Sequence, residues 1–224
     1  MKLMHRALWV LATAFTLNAV AKMPKGEYLE GKGSKVAVIL AHGRGGSPDG
    51  NVVGPLRRAI HKELGFHTLS LAMPDPGVDS PEAPELAAAF PEAYQRIQAA
   101  IDFLKNEQKA ERIYLMGHSM GGRMTSAFLV NYPDAGVVGY VGVGLLAGGQ
   151  EPVNTTFNLK KVKVPVIDVY AENDRDAQAA GFRKSFVSER FVQVPIPGAK
   201  HDYRGYEKPV ADAVIDWLQK QEAK

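Results

Sequence analysis

Six continuous apolar runs constrain the fold of this chain more than any other feature of its sequence. They cover residues 35–41, 67–73, 112–116, 137–146, 164–170 and 190–196. Runs of this kind are typical of strands buried on both faces, as in a parallel sheet. Between and after them, apolar residues recur at helical spacing: Leu56, Ile60 and Leu64, then Tyr94, Ile97, Ile101 and Leu104, then Val210, Val214, Trp217 and Leu218. The alternation predicts an α/β fold, with a doubly wound, mostly parallel sheet flanked by helices.

The first 21 residues have the layout of a secretory signal peptide. Lys2, His5 and Arg6 form a positive start, residues 7–17 are apolar, and the small residue Ala21 ends a typical cleavage site. The apolar run is shorter than the ~20 residues that span a bilayer comfortably, which favours a cleaved signal over an uncleaved membrane anchor. We therefore expect cleavage after Ala21, export to the periplasm or beyond, and no stable membrane insertion afterwards. Residues 22–224 are predicted to form a single domain.

Composition excludes several classes of site and partner. The chain has no cysteine, which rules out thiolate metal sites, cysteine nucleophiles and lipid attachment through cysteine. Removing Lys2 and Arg6 with the signal lowers the formal net charge from +3 to +1. No basic stripe interleaved with aromatic residues is visible, so we expect no nucleic-acid partner. We also predict no metal site.

Two parts of the chain stand outside the strand and helix pattern. We expect residues 22–34 to be the loosest region of the mature chain. Asp168 falls inside the apolar run 164–170, where a buried carboxylate needs partners. The sequence does not reveal these partners.

A glycine-flanked serine provides the strongest chemical signal. Gly117-His118-Ser119-Met120-Gly121 lies between a predicted strand, 112–116, and a predicted helix, 121–132. A serine on such a strand-to-helix turn has its hydroxyl exposed above the sheet, and the positive N-terminus of the helix faces it. The bare pattern is weak, because a glycine-rich turn with an incidental serine also matches it. Its position between strand and helix favours Ser119 as a nucleophile.

A second glycine-rich turn, His42-Gly43-Arg44-Gly45-Gly46, follows the first apolar run. A backbone N–H in this position helps to hold negative charge on a substrate oxygen, in an oxyanion hole. We predict that the main-chain N–H groups of Arg44 and Met120 are the two donors. His42 is predicted to orient the backbone rather than to take part in catalysis.

A serine hydroxyl needs a base, and the base needs a carboxylate to orient it. His201 follows the last apolar run and is the predicted base, since the other histidines fall in the signal, in the two turns, or in an early helix and strand. Asp174, after the fifth run, is favoured as the acid that accepts the imidazole N–H. The alternatives are Asp176, Glu172 and Glu151, and Asp202 is predicted to be a solvated loop residue.

Together these residues resemble the α/β-hydrolase superfamily over roughly residues 35–218. The details are similar to small, cap-free esterases of the dienelactone-hydrolase and carboxylesterase kind, although the dienelactone enzymes carry a cysteine nucleophile. The resemblance implies an α/β-hydrolase fold without a large cap, and no cofactor. Residues 146–163 are too few for a multi-helix lid but long enough for a short helix at 154–161. The proline-rich loop 74–84 is then the candidate for the other wall of the pocket.

The resemblance implies a serine hydrolase with Ser119 as its nucleophile, and it says little about the particular substrate. Together with the signal peptide, the leading prediction is an exported enzyme that cleaves small carboxylic esters through an acyl-enzyme on Ser119, with a small-molecule ester as its partner. An open pocket buries few methylenes, each contributing ~0.8 kcal/mol, so short acyl chains are predicted. The same triad would cleave a thioester or a peptide bond. A catalytically silent hydrolase fold that binds a cell-envelope partner is the alternative from a different class. The sequence makes no prediction of the oligomeric state.

Overall fold

The chain folds around one seven-stranded sheet in the computed structural model, which describes residues 21–78 and 80–224. The rest of the predicted signal peptide, 1–20, lies outside these residues. The strands are β1 (Gly26–Leu29), β2 (Val36–Ala41), β3 (His67–Leu71), β4 (Arg112–His118), β5 (Val137–Val143), β6 (Val166–Ala171) and β7 (Phe191–Ile196). Their order is β1-β3-β2-β4-β5-β6-β7, and every neighbouring pair is parallel except β1 with β3. The predicted mostly parallel sheet is confirmed.

Helices cover both faces of the sheet. They are α1 (Val53–Leu64), α2 (Pro84–Ala88), α3 (Phe90–Asn106), α4 (Met120–Asn131), α5 (Thr155–Lys161), α6 (Arg175–Gly181) and α7 (Glu207–Glu222), with a 3-10 turn at Lys184–Phe186. α1 ends at Gly65, whose φ of 68° is the left-handed conformation that glycine adopts readily. Within residues 21–78 and 80–224, no helix combines the length and apolarity needed to cross a membrane.

The central strand β2 shows why the apolar runs predicted the sheet so well. Successive side chains of a strand point to opposite faces, and here both faces are buried. One core contains Ala37, Ile39 and Ala41 packed with α3 and α4. The other contains Val36, Val38 and Leu40 packed with α1 and α7. A strand between two apolar layers therefore carries no polar alternation.

The prediction that residues 22–34 are loose is wrong for Gly26–Leu29, which form β1 at the edge of the sheet. β1 pairs antiparallel with β3 from Gly26 opposite Leu71 to Leu29 opposite Thr68. Tyr28 Oη lies 2.7 Å from His67 Nδ1, and the Gly31 N–H reaches the same nitrogen at 3.1 Å. The strand is short and only partly buried, so it lacks the apolar run that marks the other six.

Asp168 in β6 receives its partners from two elements that follow it in the chain. Arg183, just after α6, binds it with Nε to Oδ2 at 2.9 Å and Nη2 to Oδ1 at 3.1 Å. Gln193 of β7 donates to Oδ2 at 3.0 Å. Neither Asp168 nor Arg183 has any exposed side-chain surface, and burying one of these charges alone would be strongly unfavourable. The ion pair between Asp168 and Arg183 therefore fixes the end of α6 against the sheet.

The connection between β5 and β6 contains no large cap. Its only helix is α5, seven residues long, which begins after Asn154 as its N-cap. The segment before α5 is bound to α4 by Arg123, which donates to the carbonyls of Ala147, Gly148 and Val153 at 2.6–2.9 Å. The predicted short helix at 154–161 is confirmed.

Candidate active site

The candidate site lies along one edge of the sheet, where the parallel strands end. β2 is followed by the turn that starts at His42, and β4 by Ser119. β6 is followed by Asp174 and the first turn of α6, which contains Asp176, and β7 by the loop of His201. Because the carboxyl ends of parallel strands share one edge, residues distant in the chain meet there.

Ser119 occupies a strained turn between β4 and α4. Its φ of 54° and ψ of −118° are unusual for a residue with a side chain. The close approach on either side requires glycine. A Cβ on Gly121 would lie 2.4 Å from the carbonyl oxygen of Ala41, and one on Gly117 would lie 2.6 Å from the Cα of Gly122. The two glycines therefore let the end of β4 pack against β2 and α4, which presents the hydroxyl at the sheet edge.

Ser119, His201 and Asp176 form a continuous hydrogen-bonded triad. Ser119 Oγ lies 2.8 Å from His201 Nε2, and His201 Nδ1 lies 2.6 Å from Asp176 Oδ1. Asp176 has no exposed surface, whereas the His201 side chain is 18% exposed. A carboxylate at Nδ1 holds the proton on that nitrogen, so Nε2 can accept the serine proton.

The expectation that Asp174 contacts the imidazole is wrong. Asp174 is the N-cap of α6, and its Oδ1 accepts the N–H of Arg175 at 2.6 Å. Its Oδ2 accepts the backbone N–H of His201 at 2.9 Å. These N–H groups lower the pKa of Asp174. Asp174 therefore fixes the main chain of the histidine loop, while Asp176, two residues further into the helix, reaches the ring.

The other acidic alternatives lie away from the imidazole. Glu172 is exposed, and Glu151 forms a surface ion pair with Lys161 at 2.6 Å. Asp202 is exposed, as predicted, although it reaches the edge of the cleft beside Ser119. An aspartate directly before a helix is a common N-cap, and this signal distinguishes Asp174 from Asp176 once the start of α6 is known.

The turn after β2 is held in one orientation by His42. His42 Nε2 accepts the N–H of Met73 at 3.0 Å, so its Nδ1 carries the proton and donates to the Gly43 carbonyl at 2.8 Å. The N–H of Gly46 donates to the same carbonyl at 3.1 Å. Burial lowers the pKa of His42, in keeping with a neutral ring. His42 is thus a backbone-orienting residue in the structure.

A fixed Gly43 carbonyl also fixes the direction of the next N–H. In a trans peptide the C=O and the following N–H point in opposite directions, so the Arg44 N–H points away from His42. Arg44 lines the same cleft as Ser119. Met120 is the first residue of α4, where a backbone N–H has no acceptor within the helix. The oxyanion role of these two groups stays a prediction.

The comparison with family models decides the family. A model described as an alpha/beta hydrolase domain matches residues 34–213, which include the triad and the turn after β2. The chain belongs to the α/β-hydrolase family. Membership of this family supports hydrolase activity.

This α/β hydrolase shares its fold with several solved structures of low sequence identity. Est1E from Butyrivibrio proteoclasticus matches with a TM-score of 0.66 and 18% identity, covering 91% of this chain and 90% of that one. A serine hydrolase homologue from Coxiella burnetii matches with a TM-score of 0.65 and 20% identity, covering 88% of each chain. A serine hydrolase without lid from Xanthomonas campestris matches with a TM-score of 0.63 and 16% identity, covering 89% and 86%. A search of curated proteins found no match.

A half-open cleft of about 270 Å³ lies beside Ser119 of this hydrolase. Residues 42–46 and 50–53 form much of its lining, and His118, Arg175, His201 and Asp202 lie along the rest of it. None of the described residues of the loop 74–84 lines the cleft, contrary to expectation. The loop instead supports the turn after β2, because Asp75 accepts the N–H of Gly45 at 2.8 Å.

Two residues that the sequence analysis did not select contact the triad of this hydrolase. His118 Nε2 lies 3.1 Å from the His201 carbonyl, and its ring lies 5.1 Å from the His201 ring. Burial lowers the pKa of His118 to about 4, so the His118 ring is neutral at neutral pH. Tyr203 donates its O–H to Asp176 Oδ2 at 2.9 Å. No sequence pattern pointed to these contacts, since both depend on how two loops meet.

Proposed function

We propose that this chain is an exported serine hydrolase that cleaves small carboxylic esters through an acyl-enzyme on Ser119. One observation carries the proposal, namely the two short contacts from Ser119 Oγ to His201 Nε2 and from His201 Nδ1 to Asp176 Oδ1, at 2.8 and 2.6 Å. They provide the base that a serine nucleophile needs and the carboxylate that orients this base.

The reaction would proceed in two halves. Ser119 Oγ attacks the ester carbonyl carbon while His201 Nε2 takes the serine proton, and Asp176 stabilises the imidazolium that forms. The N–H groups of Met120 and Arg44 hold the negative carbonyl oxygen. His201 then gives its proton to the leaving alcohol oxygen, which leaves the acyl group on Ser119. Water, deprotonated by His201, repeats the sequence and releases the acid.

A small substrate is supported by the size of the cleft and by the connection between β5 and β6. A cleft of about 270 Å³ without a large cap buries few methylene groups. Each methylene that leaves water contributes only ~0.8 kcal/mol, so a long acyl chain gains little from this surface. We propose acyl groups of roughly two to six carbons, with no activation at a lipid–water interface.

A panel of ester, thioester and amide substrates with matched acyl groups tests this function. It includes aryl esters of increasing chain length and a feruloyl ester, because ferulic acid is bound in one structure of Est1E. The proposal predicts the highest kcat/KM on short esters and a fall in kcat approaching ~10⁶ for Ser119→Ala. A steady rise in kcat/KM to about twelve carbons or more would contradict the small-substrate proposal. A thioester or amide preference would replace the ester proposal.

Export is a separate part of the proposal and rests on the sequence of residues 1–21. The positive start, the apolar run and the small residue Ala21 support cleavage before Lys22. Mass spectrometry of protein recovered from an exporting bacterial host should find a chain that begins at Lys22. Recovery of the full chain, including Met1, from the cytoplasmic fraction alone would contradict export.

A further inference from the structure

Tyr203 has an unusual backbone conformation directly behind the triad. Its φ of 49° is one of only three positive values for non-glycine residues in the described part of the chain, and Ser119 provides another. A bulky aromatic residue adopts this conformation only where its surroundings impose it. Here the Tyr203 N–H donates to Lys200, and its carbonyl accepts from Tyr206, both at 2.9 Å. The strained turn buries the ring, which is only 1% exposed.

The phenol of Tyr203 makes the shorter of the two hydrogen bonds to Asp176 Oδ2. Its O–H donates to Oδ2 at 2.9 Å, whereas the backbone N–H of Ala171 approaches the same oxygen only at 3.4 Å. The alternative acceptor for the phenol, the Val169 carbonyl, lies at 3.4 Å. Since Oδ1 accepts from His201, the phenol and the imidazole each bind one oxygen of a carboxylate that has no access to water.

We propose that Tyr203 is a positioning residue that holds the Asp176 carboxylate aimed at His201, and thereby extends the reactivity of Ser119 to lower pH. The inference rests on the proposed serine-hydrolase function. It assigns a role to a residue that the reaction itself does not touch.

The phenol can serve as a donor throughout the working range. Burial, reinforced by the Asp176 carboxylate, raises the pKa of Tyr203 well above its ordinary value, so the phenol keeps its proton. A protonated phenol beside a carboxylate makes a charge-assisted hydrogen bond, which is stronger than a hydrogen bond between neutral groups.

The direction of the effect follows from the charge of the Asp176–His201 pair. With His201 neutral, the pair carries one negative charge; with His201 protonated, it is neutral overall. A donor on Oδ2 stabilises the negative state more than the neutral one. Removing that donor therefore makes the pair take up a proton at a higher pH.

The other titratable groups near the Asp176–His201 pair do not obscure the shift of the acid limb. The charged and titratable groups near the pair or Tyr203 include His42, Arg44, His118, Asp168 with Arg183, Asp174, Arg175 and Asp202. Burial lowers the pKa of His42. His118 is neutral in the relevant range because burial lowers its pKa to about 4. Backbone N–H groups lower the pKa of Asp174, which stays anionic there. The acid limb of the pH profile consequently reports on the Asp176–His201 pair.

The test compares Tyr203→Phe with Tyr206→Phe, a matched loss of one phenol oxygen in the same loop. The rate at which an excess of a fluorophosphonate probe labels Ser119 is measured from about pH 5 to pH 9, which requires no knowledge of the substrate. For Tyr203→Phe we expect the acid limb to move up by roughly half to one pH unit. Labelling near pH 6 should then fall about three- to tenfold, while labelling near pH 9 stays within about twofold. Tyr206→Phe should leave the profile unchanged.

The possible outcomes separate this inference from the proposed function. Wild-type protein that is folded but not labelled overturns the proposed function. A labelled wild type with an unmoved Tyr203→Phe profile, or with an equal loss at every pH, overturns the role of Tyr203 alone. An NMR titration of the His201 ring checks the same shift without any probe, and in an Asp176→Asn background Tyr203→Phe should add no further shift.

A second route keeps the inference testable if Tyr203→Phe does not fold. Replacing the eight tyrosines biosynthetically with fluorotyrosine makes the phenol more acidic and a stronger donor. The acid limb should then move to lower pH, opposite to the effect of removing the oxygen. An unmoved limb, or one that moves to higher pH, would overturn the proposal.

Discussion

Two aspartates separated by one residue perform different tasks beside His201. Asp176 binds the ring at 2.6 Å, while Asp174 caps α6 and accepts the backbone N–H of His201 at 2.9 Å. The first contact acts on the charge of the imidazole, and the second acts on the position of the loop. This difference predicts unequal effects of two chemically identical substitutions.

We expect Asp176→Asn to lower kcat by ~10⁴, because an amide cannot stabilise the imidazolium and favours the wrong tautomer. Asp174→Asn, the matched control, should lower kcat much less, since its amide oxygen can still accept one of the two backbone N–H groups and no contact with the imidazole is lost. Steady-state kinetics on a short-chain aryl ester measures both. An Asp174→Asn variant that loses more activity than Asp176→Asn would reverse the assignment.

The sequence predicted the nucleophile and the base but not the acid, for a physical reason. Ser119 and His201 each follow a strand in a recognisable glycine-containing loop, so their positions depend only on the strand pattern. The choice between Asp174 and Asp176 depends on the residue at which α6 begins, because an N-cap points along its helix. Tyr203 depends on a left-handed backbone conformation without glycine, for which the sequence carries no signal.

In the turn after β2, several hydrogen bonds fix the orientation of one peptide group, the one that joins Gly43 to Arg44. His42 and Gly46 both donate to the Gly43 carbonyl, which directs the following Arg44 N–H to the opposite side. Asp75 holds the turn from outside through the Gly45 N–H. If the Arg44 N–H belongs to an oxyanion hole, the orientation of this peptide matters in the transition state more than in substrate binding.

We therefore expect His42→Ala to lower kcat by roughly 10²-fold with a smaller change in KM, the scale seen when an oxyanion donor is lost. His61→Ala, which removes a histidine of α1 away from the cleft, is the matched control and should retain kcat. The comparison requires steady-state kinetics of both variants. A His42→Ala variant with wild-type kcat would show that the ring does not prepare this peptide for catalysis.

The elements themselves were predictable where both faces of a strand are buried. β2, with an apolar layer on either side, left an uninterrupted signal in the sequence. β1 left no apolar signal in the sequence, because it is a four-residue edge strand that is held largely by backbone pairing and by the Tyr28–His67 contact. The loop 74–84 was wrongly predicted to form a wall of the cleft, because its actual contact with the glycine-rich turn depends on one tertiary hydrogen bond, which Asp75 accepts.

At the scale of the whole molecule, three histidines with lowered pKa values link the stability of the fold to pH. Burial lowers the pKa of His42, His67 and His118, the last to about 4. Unfolded histidine has its ordinary value of about 6.5, so below that pH the unfolded chain binds more protons than the folded one. Their stabilising effect is complete above about pH 6.5 and is lost as the pH falls towards about 4.

We expect the free energy of unfolding to decrease between about pH 7.5 and pH 4.5, before the aspartates with lowered pKa begin to titrate. Urea unfolding at the two pH values, followed by the fluorescence of Trp217, measures the change. An equal or greater free energy of unfolding at the lower pH would contradict the neutral, buried state of these histidines.

The fold brings residues from separate loops together to activate Ser119. The most direct test is stoichiometric reaction of the folded protein with a fluorophosphonate probe, followed by peptide mass spectrometry. We expect one label per chain on Ser119, with none on Ser119→Ala and a strongly reduced rate for Asp176→Asn. Folded protein that stays unlabelled, or that carries the label on another residue, would show that Ser119 is not an activated nucleophile and favour a binding protein with a hydrolase fold.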